Sequence, residues 1–386
     1  MRVLYATMSV VEFDGTHYYS NPVQATYPRY VEDGDELTII CHKKDVKEGK
    51  QDLITRESVH FAFVKKINSI RSILTCTFKK NGTVIEEEVK KADICFIHIP
   101  CPHCYQVIKY ARKYNKPFMT IVCGCTWDEY WTYDWRGKII APFAYLGQRI
   151  SQKKAQFSIY VTNVFLQRRY PNCGKSIGCS NVNIETGIPG ILEKRLDHIK
   201  EVSKNRDIVL KIGTVAAIDV PYKGQGDVIK AIALLRKKGI LIEYHLLGRG
   251  SREALSKIAK LYNVEDFVVF HNPVPHNEVL AFYDSIDAYI QSSWTEGLPR
   301  ALIEAMSRGC LCIGSNAGGI PELLDSDYIY PKGNVKALSA IISEIKVETM
   351  IDQAQVNYVR AKEFDRNVLN KRRSEFIKEF RTACFN

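Results

Sequence analysis

The sequence predicts an α/β protein made of two doubly wound parallel-sheet domains. Three observations lead there. Short apolar runs alternate with longer amphipathic stretches, the pattern of repeated β-α-β units. The chain has 386 residues, more than the roughly 250–300 at which one core stops growing. A polar, turn-rich segment, 185–207, separates two comparable halves.

In the first half, strands are expected at "RVLYA" (2–6), "ELTIICH" (36–42), "ICFIHI" (94–99), "FMTIVC" (118–123) and "SIYVT" (158–162), with a helix at 103–116. The second half is more regular. "IVLKIGT" (208–214) precedes a helix at 226–239 that sets Val228, Ile229, Ile232 and Leu235 on one face and ends at Gly239. "IEYHLLG" (242–248), a helix at 252–262, "FVVFH" (267–271), a helix at 277–285, "AYIQSS" (288–293), a helix at 299–308 and "CLCIGS" (310–315) follow. The last residues, "VLNKRRSEFIKEFRTACF", form a basic amphipathic helix. The domains are expected at 1–195 and 206–364, with 366–386 packing back on the first.

Hydrophobic residues make up 46% and charged residues 25% of the chain, which argues against a disordered or membrane-spanning protein. No apolar run approaches the roughly 18 residues of a membrane span. The opening "MRVLYATMSVVEFDG" runs into Glu12 and Asp14 and reads as a buried strand, not a signal peptide. The expected compartment is the cytoplasm, where twelve cysteines stay reduced.

The net charge of +11 is uneven: residues 1–200 hold 29 Lys and Arg against 20 Asp and Glu, and residues 201–386 hold 25 against 23. A basic first half suits anionic lipid headgroups or a phosphate-bearing acceptor. Within it, 127–155 holds Trp127, Trp131 and Trp135 followed by basic residues. Such a segment serves core packing, an acceptor or a membrane interface. No RNA-binding signature accompanies it, so no nucleic-acid partner is expected.

Cysteines cluster in "IPCPHC" (99–104) and "CGC" (123–125). The spacing of Cys101, Cys104, Cys123 and Cys125 nearly matches a zinc ribbon, but the last knuckle is one residue short. "DGD" (33–35) and "DSD" (325–327) read as turns. No metal site is expected.

The stretch "SSWTEGLPRALIEAMSRGCLCIGSNAGGIPELL" (292–324) is the most informative. Glu296 ends a loop, and Glu304 lies two turns along the following helix. Gly297 and Pro299 suit a helix start, whose free N–H groups make a phosphate site at a strand end. One carboxylate can hold sugar hydroxyls and the other a ribose; by spacing alone, the two are equally acidic residues of a solvated helix face. "NAGG" (316–319) supplies a turn for close backbone approach.

This stretch closely resembles the donor-binding signature of family-4 retaining glycosyltransferases with the GT-B fold, two Rossmann-like domains facing across a cleft. The resemblance runs through "IGTVAAIDVPYKGQGDVIKAIALL" and "HLLGRGSREALSKIAKLYNVEDFVVFHNPVPHNEVLAFYDSIDAYIQSS". It implies that Glu296 contacts the transferred sugar, Glu304 the ribose and Lys223 the diphosphate. Gly297, Leu298 and Pro299 would border phosphate or sugar, Gly248 and Gly250 the nucleotide, and Val274 the base. Thr214 stands where this family carries an arginine for the diphosphate, with Arg249 or Arg300 as substitutes. Cys123 stands where it carries a histidine, with Asp128 nearby as an alternative. Gly15, Tyr19, Tyr18 and Arg29 are acceptor-side candidates.

"YVTNVFLQRRYP" (160–171) and "IGCSNVNIE" (177–185) are similar to bacterial capsular or surface-polysaccharide transferases. The implied activity is retaining, metal-independent hexosyl transfer. The donor is a UDP- or GDP-sugar, no cofactor is needed, and the acceptor is a saccharide, lipid-linked at the inner face of the plasma membrane. The rival readings are a sugar-binding protein without chemistry, a GT-B epimerase or phosphorylase, and a thiol oxidoreductase at Cys101 and Cys104.

Overall fold

A computed structural model describes residues 1–65, 79–204 and 209–385. It divides the chain into two compact units, Met1–Cys179 with Asn370–Asn386, and Ser180–Leu369. The division falls earlier than the expected 195. The expected start at 206 lies outside the described residues.

The first unit carries strands β1 (Arg2–Phe13), β2 (Tyr18–Tyr19), β3 (Glu36–Asp45), β4 (Val59–Phe63), β5 (Ile94–Ile99), β6 (Phe118–Val122), β7 (Phe157–Tyr160) and β8 (Lys175–Gly178). Its helices are α1 (Asn21–Tyr30), α2 (Lys79–Lys91), α3 (Pro102–Lys113), α4 (Thr126–Trp131), α5 (Trp135–Gln152) and α6 (Phe165–Arg169). The sheet order is β4-β3-β1-β5-β6-β7-β8, with β2 antiparallel beside β1. Val3, Leu4, Tyr5 and Ala6 are buried in succession, as a central parallel strand with both faces covered requires.

β1 runs further than the expected 2–6. Its pairing with β5 ends at Ala6, and an irregularity between Ala6 and Val10 lets it continue beside β3 to Phe13. A bulge of this kind bends a strand without ending it.

The second unit opens with α7 (Ile191–Lys204) and holds a fully parallel sheet. Its elements are β9 (Leu210–Val215), α8 (Gln225–Arg236), β10 (Ile242–Leu247), α9 (Glu253–Leu261), β11 (Val268–His271), α10 (His276–Ser285), β12 (Ala288–Gln291), α11 (Arg300–Ser307), β13 (Leu311–Ser315), β14 (Ile329–Tyr330), α12 (Val335–Ser343) and α13 (Val347–Ala361). The strand order β11-β10-β9-β12-β13-β14 is that of a doubly wound dinucleotide-type sheet. Val228, Ile229, Ile232 and Leu235 all enter its core.

A last helix, α14 (Arg366–Phe385), belongs from Asn370 onward to the first unit. There Phe380 packs on Phe96 and Phe157. Arg381 donates to Asp35 Oδ2 at 2.8 Å and to Tyr30 O at 3.0 Å. Asp35, expected in a turn, is therefore an anchor for this helix.

The segment expected as a linker is mostly α7, and it is bound into the second unit. Arg195 is buried. Its guanidinium donates to Arg308 O (3.0 Å), Ile286 O (2.7 Å) and Tyr283 O (2.6 Å). These carbonyls end other elements and are gathered on one guanidinium. Arg195→Met keeps the stem's apolar packing but strands them. It should cost about 3 kcal/mol, read as a lower urea midpoint with an unchanged slope; an unchanged midpoint contradicts the anchoring role.

Candidate active site

In open parallel sheets, ligands sit outside the carboxyl ends of the strands where the strand order reverses. In the second unit that point lies between β9 and β12. The loop after β9 reaches a short 3-10 turn, Pro221–Lys223, and Gly224 takes φ +75° before α8 begins. The loop after β12 runs to α11. Hydrogen bonds join the two loops. Trp294 N–H donates to Tyr222 O at 2.8 Å, Ser292 Oγ to Lys223 O at 2.9 Å, and Trp294 Nε1–H to Asp227 Oδ2 at 2.8 Å.

This junction sets Lys223 Nζ 2.7 Å from Glu296 Oε1. The same oxygen accepts from Ser293 Oγ at 2.7 Å and from Gln291 Nε2 at 3.2 Å. Glu296 Oε2 makes no hydrogen bond among the described residues. The carboxylate is thus held by one oxygen and offers the other.

Glu304 lies on α11, buried. Tyr283 Oη donates to its Oε2 at 3.0 Å. Burial, with Tyr289 and Glu304 nearby, pushes the Tyr283 phenol well up, so it stays a donor.

The helix α11 starts at Arg300 with Pro299 as its N-cap, and no side chain caps it. Its first N–H groups therefore face the same strand end as Lys223 without a side-chain partner. Gly297 N-terminal to it is fixed by Gly319 N–H, which donates to Gly297 O at 2.7 Å. The "NAGG" turn thus approaches protein backbone: a Cβ on Gly318, φ +57°, would lie 2.1 Å from Glu296 O.

Gly248 follows β10 and crosses close over the end of β9, where a Cβ would lie 1.8 Å from Ala216 O. Gly250, φ +124°, sits against Asp219. Arg249 lends its carbonyl to Ile218 N–H at 2.8 Å, and its side chain is exposed, as is that of Arg300. Leu298 is half-buried in the loop before α11. Val274 is exposed in the loop after β11.

Thr214 is a correction. It is buried, its hydroxyl donates to Ile290 O at 2.7 Å, and Tyr244 Oη donates to it at 2.9 Å. Both hydroxyl functions are used inside the sheet, so Thr214 does not face a ligand.

In the first unit the strand order reverses between β1 and β5. The sequence candidates there do not converge. Gly15, φ +104°, lies in the β1–β2 turn, well past the last β1 residue paired with β5. Tyr19 Oη donates to Asp14 Oδ2 at 2.7 Å, and Asp14 also accepts from Thr16 and His17 N–H. These bonds, His17 first, hold the Asp14 carboxyl down at about 2. Tyr19 and Gly15 therefore build a hairpin tip.

Asp128 is buried on α4, 3.8 Å from Arg169. Cys123 follows β6, and its Sγ lies 3.5 Å from His98 Nε2 on β5. Burial, aided by Arg29, lowers the His98 imidazole to about 4. A histidine does stand at this strand end, one strand away from the expected position.

The two cysteine pairs separate. Cys101, His103 and Cys104 are buried with their ligand-type atoms within 4.8 Å of one another. His103 Nε2 lies 3.0 Å from Thr7 O, and Nδ1 lies 3.2 Å from Cys101 Sγ. Cys125 Sγ instead lies 3.2 Å from Tyr170 Oη.

The sequence reading missed Ser293, Gln291 and Tyr283 as supports of the two glutamates. Ser293 and Gln291 had a signal: a polar run, Gln291–Ser293, at the end of a buried strand. Tyr283 had none.

A family model described as "Glycosyl transferases group 1" matches residues 194–361. Protein CapJ of Staphylococcus aureus is 31% identical over 352 residues, 89% of this chain and 86% of that protein. The putative colanic acid biosynthesis glycosyltransferase WcaL of Salmonella typhimurium is 28% identical over 219 residues, 53% of each chain. Among solved structures, Anabaena Alr3699/HepE in complex with UDP and glucose aligns with TM-score 0.65 at 14% identity, over 97% of this chain and 99% of that one.

Gly224 ties this geometry together. A Cβ there would lie 2.0 Å from Ser292 O, and its φ is left-handed. Gly224→Ala should push the two loops apart and move Lys223 off Glu296. The expected result is a fall in melting temperature of several degrees, about 1–3 kcal/mol, and the loss of any nucleotide-induced thermal shift. An unshifted melting temperature contradicts the close packing.

Proposed function

We propose how this chain, which belongs to the glycosyl transferases group 1 and is a glycosyltransferase of surface-polysaccharide biosynthesis, transfers its sugar: from UDP, with retention at the anomeric carbon, and without a metal ion. The observation that carries the reading is the Lys223–Glu296 contact beside the side-chain-free N-terminus of α11.

In this reading the donor diphosphate lies over that helix start, and Lys223 swings from carboxylate to phosphate. As the bond from C1 to the diphosphate oxygen breaks, negative charge grows on the phosphates. The ammonium and the helix N–H groups stabilise it, so the residues supply the positive charge that a metal supplies in other transferases. Glu296 Oε2 takes hydroxyls of the sugar, and Glu304 Oε1 takes the ribose. The acceptor hydroxyl attacks C1 on the face the diphosphate leaves, and its proton passes to the departing phosphate oxygen. A UDP donor is favoured by the complex of the HepE neighbour with UDP and glucose. The acceptor is a saccharide carried on a lipid, which makes the enzyme a peripheral protein of the inner membrane face. Among the described residues no helix is long and apolar enough to cross a membrane.

Incubation with UDP-sugars, with UDP release and product configuration read by NMR, tests this. The product should have the donor's anomeric configuration, and EDTA should leave the rate unchanged. Lys223→Ala and Glu296→Ala should each lower kcat by about 10²–10³-fold. An inverted product or EDTA inhibition removes the corresponding part. Wild-type binding of UDP-sugars without turnover on any acceptor would favour a binding protein instead.

A further inference from the structure

The helix α5 has a buried face and an exposed apolar one. One packs inward through Gly137, Ile140, Ala141, Gln148 and Gln152. The packing is close, since a Cβ on Gly137 would lie 2.1 Å from Tyr130 O. The other face carries Trp135, Ile139, Phe143, Leu146 and Ile150, spaced i, i+4, i+8, i+11, i+15, which is one continuous stripe. These five side chains are between 47% and 67% exposed. Just before the helix, Trp131 and Tyr133 are exposed as well. Scattered exposed apolar residues are ordinary; a contiguous stripe of aromatic and branched side chains is not.

After the Asp134 cap, the charge along this helix has one sign. From residue 135 to 184 the chain has no Asp or Glu, and it has Arg136, Lys138, Arg149, Lys153, Lys154, Arg168, Arg169 and Lys175. The Arg136 guanidinium lies 5.4 Å over the Trp135 ring and Lys138 Nζ 5.9 Å over the Trp131 ring. Each places a cationic head beside an aromatic body, as at a water–lipid interface. Lys175 pairs with Glu379 and Arg169 lies beside Asp128, but Arg136, Lys138, Lys153 and Lys154 make no ion pair among the described residues, so a protein partner of mixed charge would meet uncompensated cations along this helix. An anionic bilayer answers both features at once, since acyl chains take the stripe and headgroups the cations.

We propose that α5 is the membrane-docking element of this protein, lying in the headgroup layer of an anionic bilayer along the Trp135–Ile150 stripe. The proposal names the surface for the peripheral location argued above and rests on that reading. It assigns lipid contact to residues outside the donor site, so docking and chemistry are separable by mutation.

The test is flotation of the full chain with vesicles of phosphatidylcholine alone, or mixed with phosphatidylglycerol, at low and high salt. Wild type should float with the anionic vesicles, less at high salt, and hardly with phosphatidylcholine. Ile139→Ser with Phe143→Ser should lower the bound fraction about tenfold or more, and Arg136→Glu with Lys138→Glu should do the same at low salt. Leu261→Ser removes an equally exposed leucine from α9 and should change nothing. All variants should melt as wild type and keep turnover on a soluble saccharide acceptor. Flotation that survives the Ile139/Phe143 pair overturns the proposal. So does a concentration-dependent dimer, seen by size exclusion, that the same pair abolishes, because the stripe is then a contact between copies. Turnover on soluble acceptor reports on the transfer reading alone, so each can fail without the other.

Discussion

The candidate site of the second unit depends on one contact, Lys223 Nζ against Glu296 Oε1 at 2.7 Å. The two residues come from loops that follow β9 and β12, on either side of the sheet's reversal. Neither loop is held by regular structure. What holds them is a set of backbone and side-chain bonds around Ser292, Trp294 and Asp227, and the space left by the absent Gly224 side chain. The ion pair is partly exposed, with 23% and 12% of the two side chains accessible. Its worth in stability is accordingly small. Its consequence is positional: a cation and a carboxylate are parked at one strand end, each able to exchange its partner for a ligand.

The two glutamates illustrate how environment assigns role. Glu296 is tied through one oxygen by three donors and keeps the other outward. Glu304 sits deeper, with the phenol of Tyr283 as its donor. A buried polar group needs such a bond, because leaving it unmade away from water costs free energy. The same helix that carries Glu304 presents its N–H groups to the mouth, so in the proposed function phosphate, sugar and ribose contacts all follow from where α11 begins.

Much of the second unit was legible in the sequence because its elements obey short-range rules. The apolar faces, the Gly239 stop and the eight-residue separation of Glu296 and Glu304 all act locally. Thr214 was not legible. Its alignment position suggested a ligand, whereas the need of Ile290 O for a donor is a tertiary fact. Arg195 was hidden for the same reason: a charged residue in a polar stretch reads as linker, and only three distant carbonyls make it a core residue. In the first unit the stripe on α5 has the periodicity of a core-facing helix, so sequence could not say which apolar face stays in solvent. The continuation of β1 past the irregularity after Ala6, to Phe13, was equally hidden, and it puts Gly15 in a hairpin turn.

In the proposed function, the β9–β12 reversal holds a diphosphate through Lys223. Calorimetric titration of UDP and of uridine into wild type and Lys223→Met tests it most directly. Wild type should bind UDP far more tightly than uridine, and the variant should lose most of that difference while binding uridine as before. If Lys223→Met keeps the full preference for UDP, Lys223 does not hold the diphosphate, which then lies elsewhere.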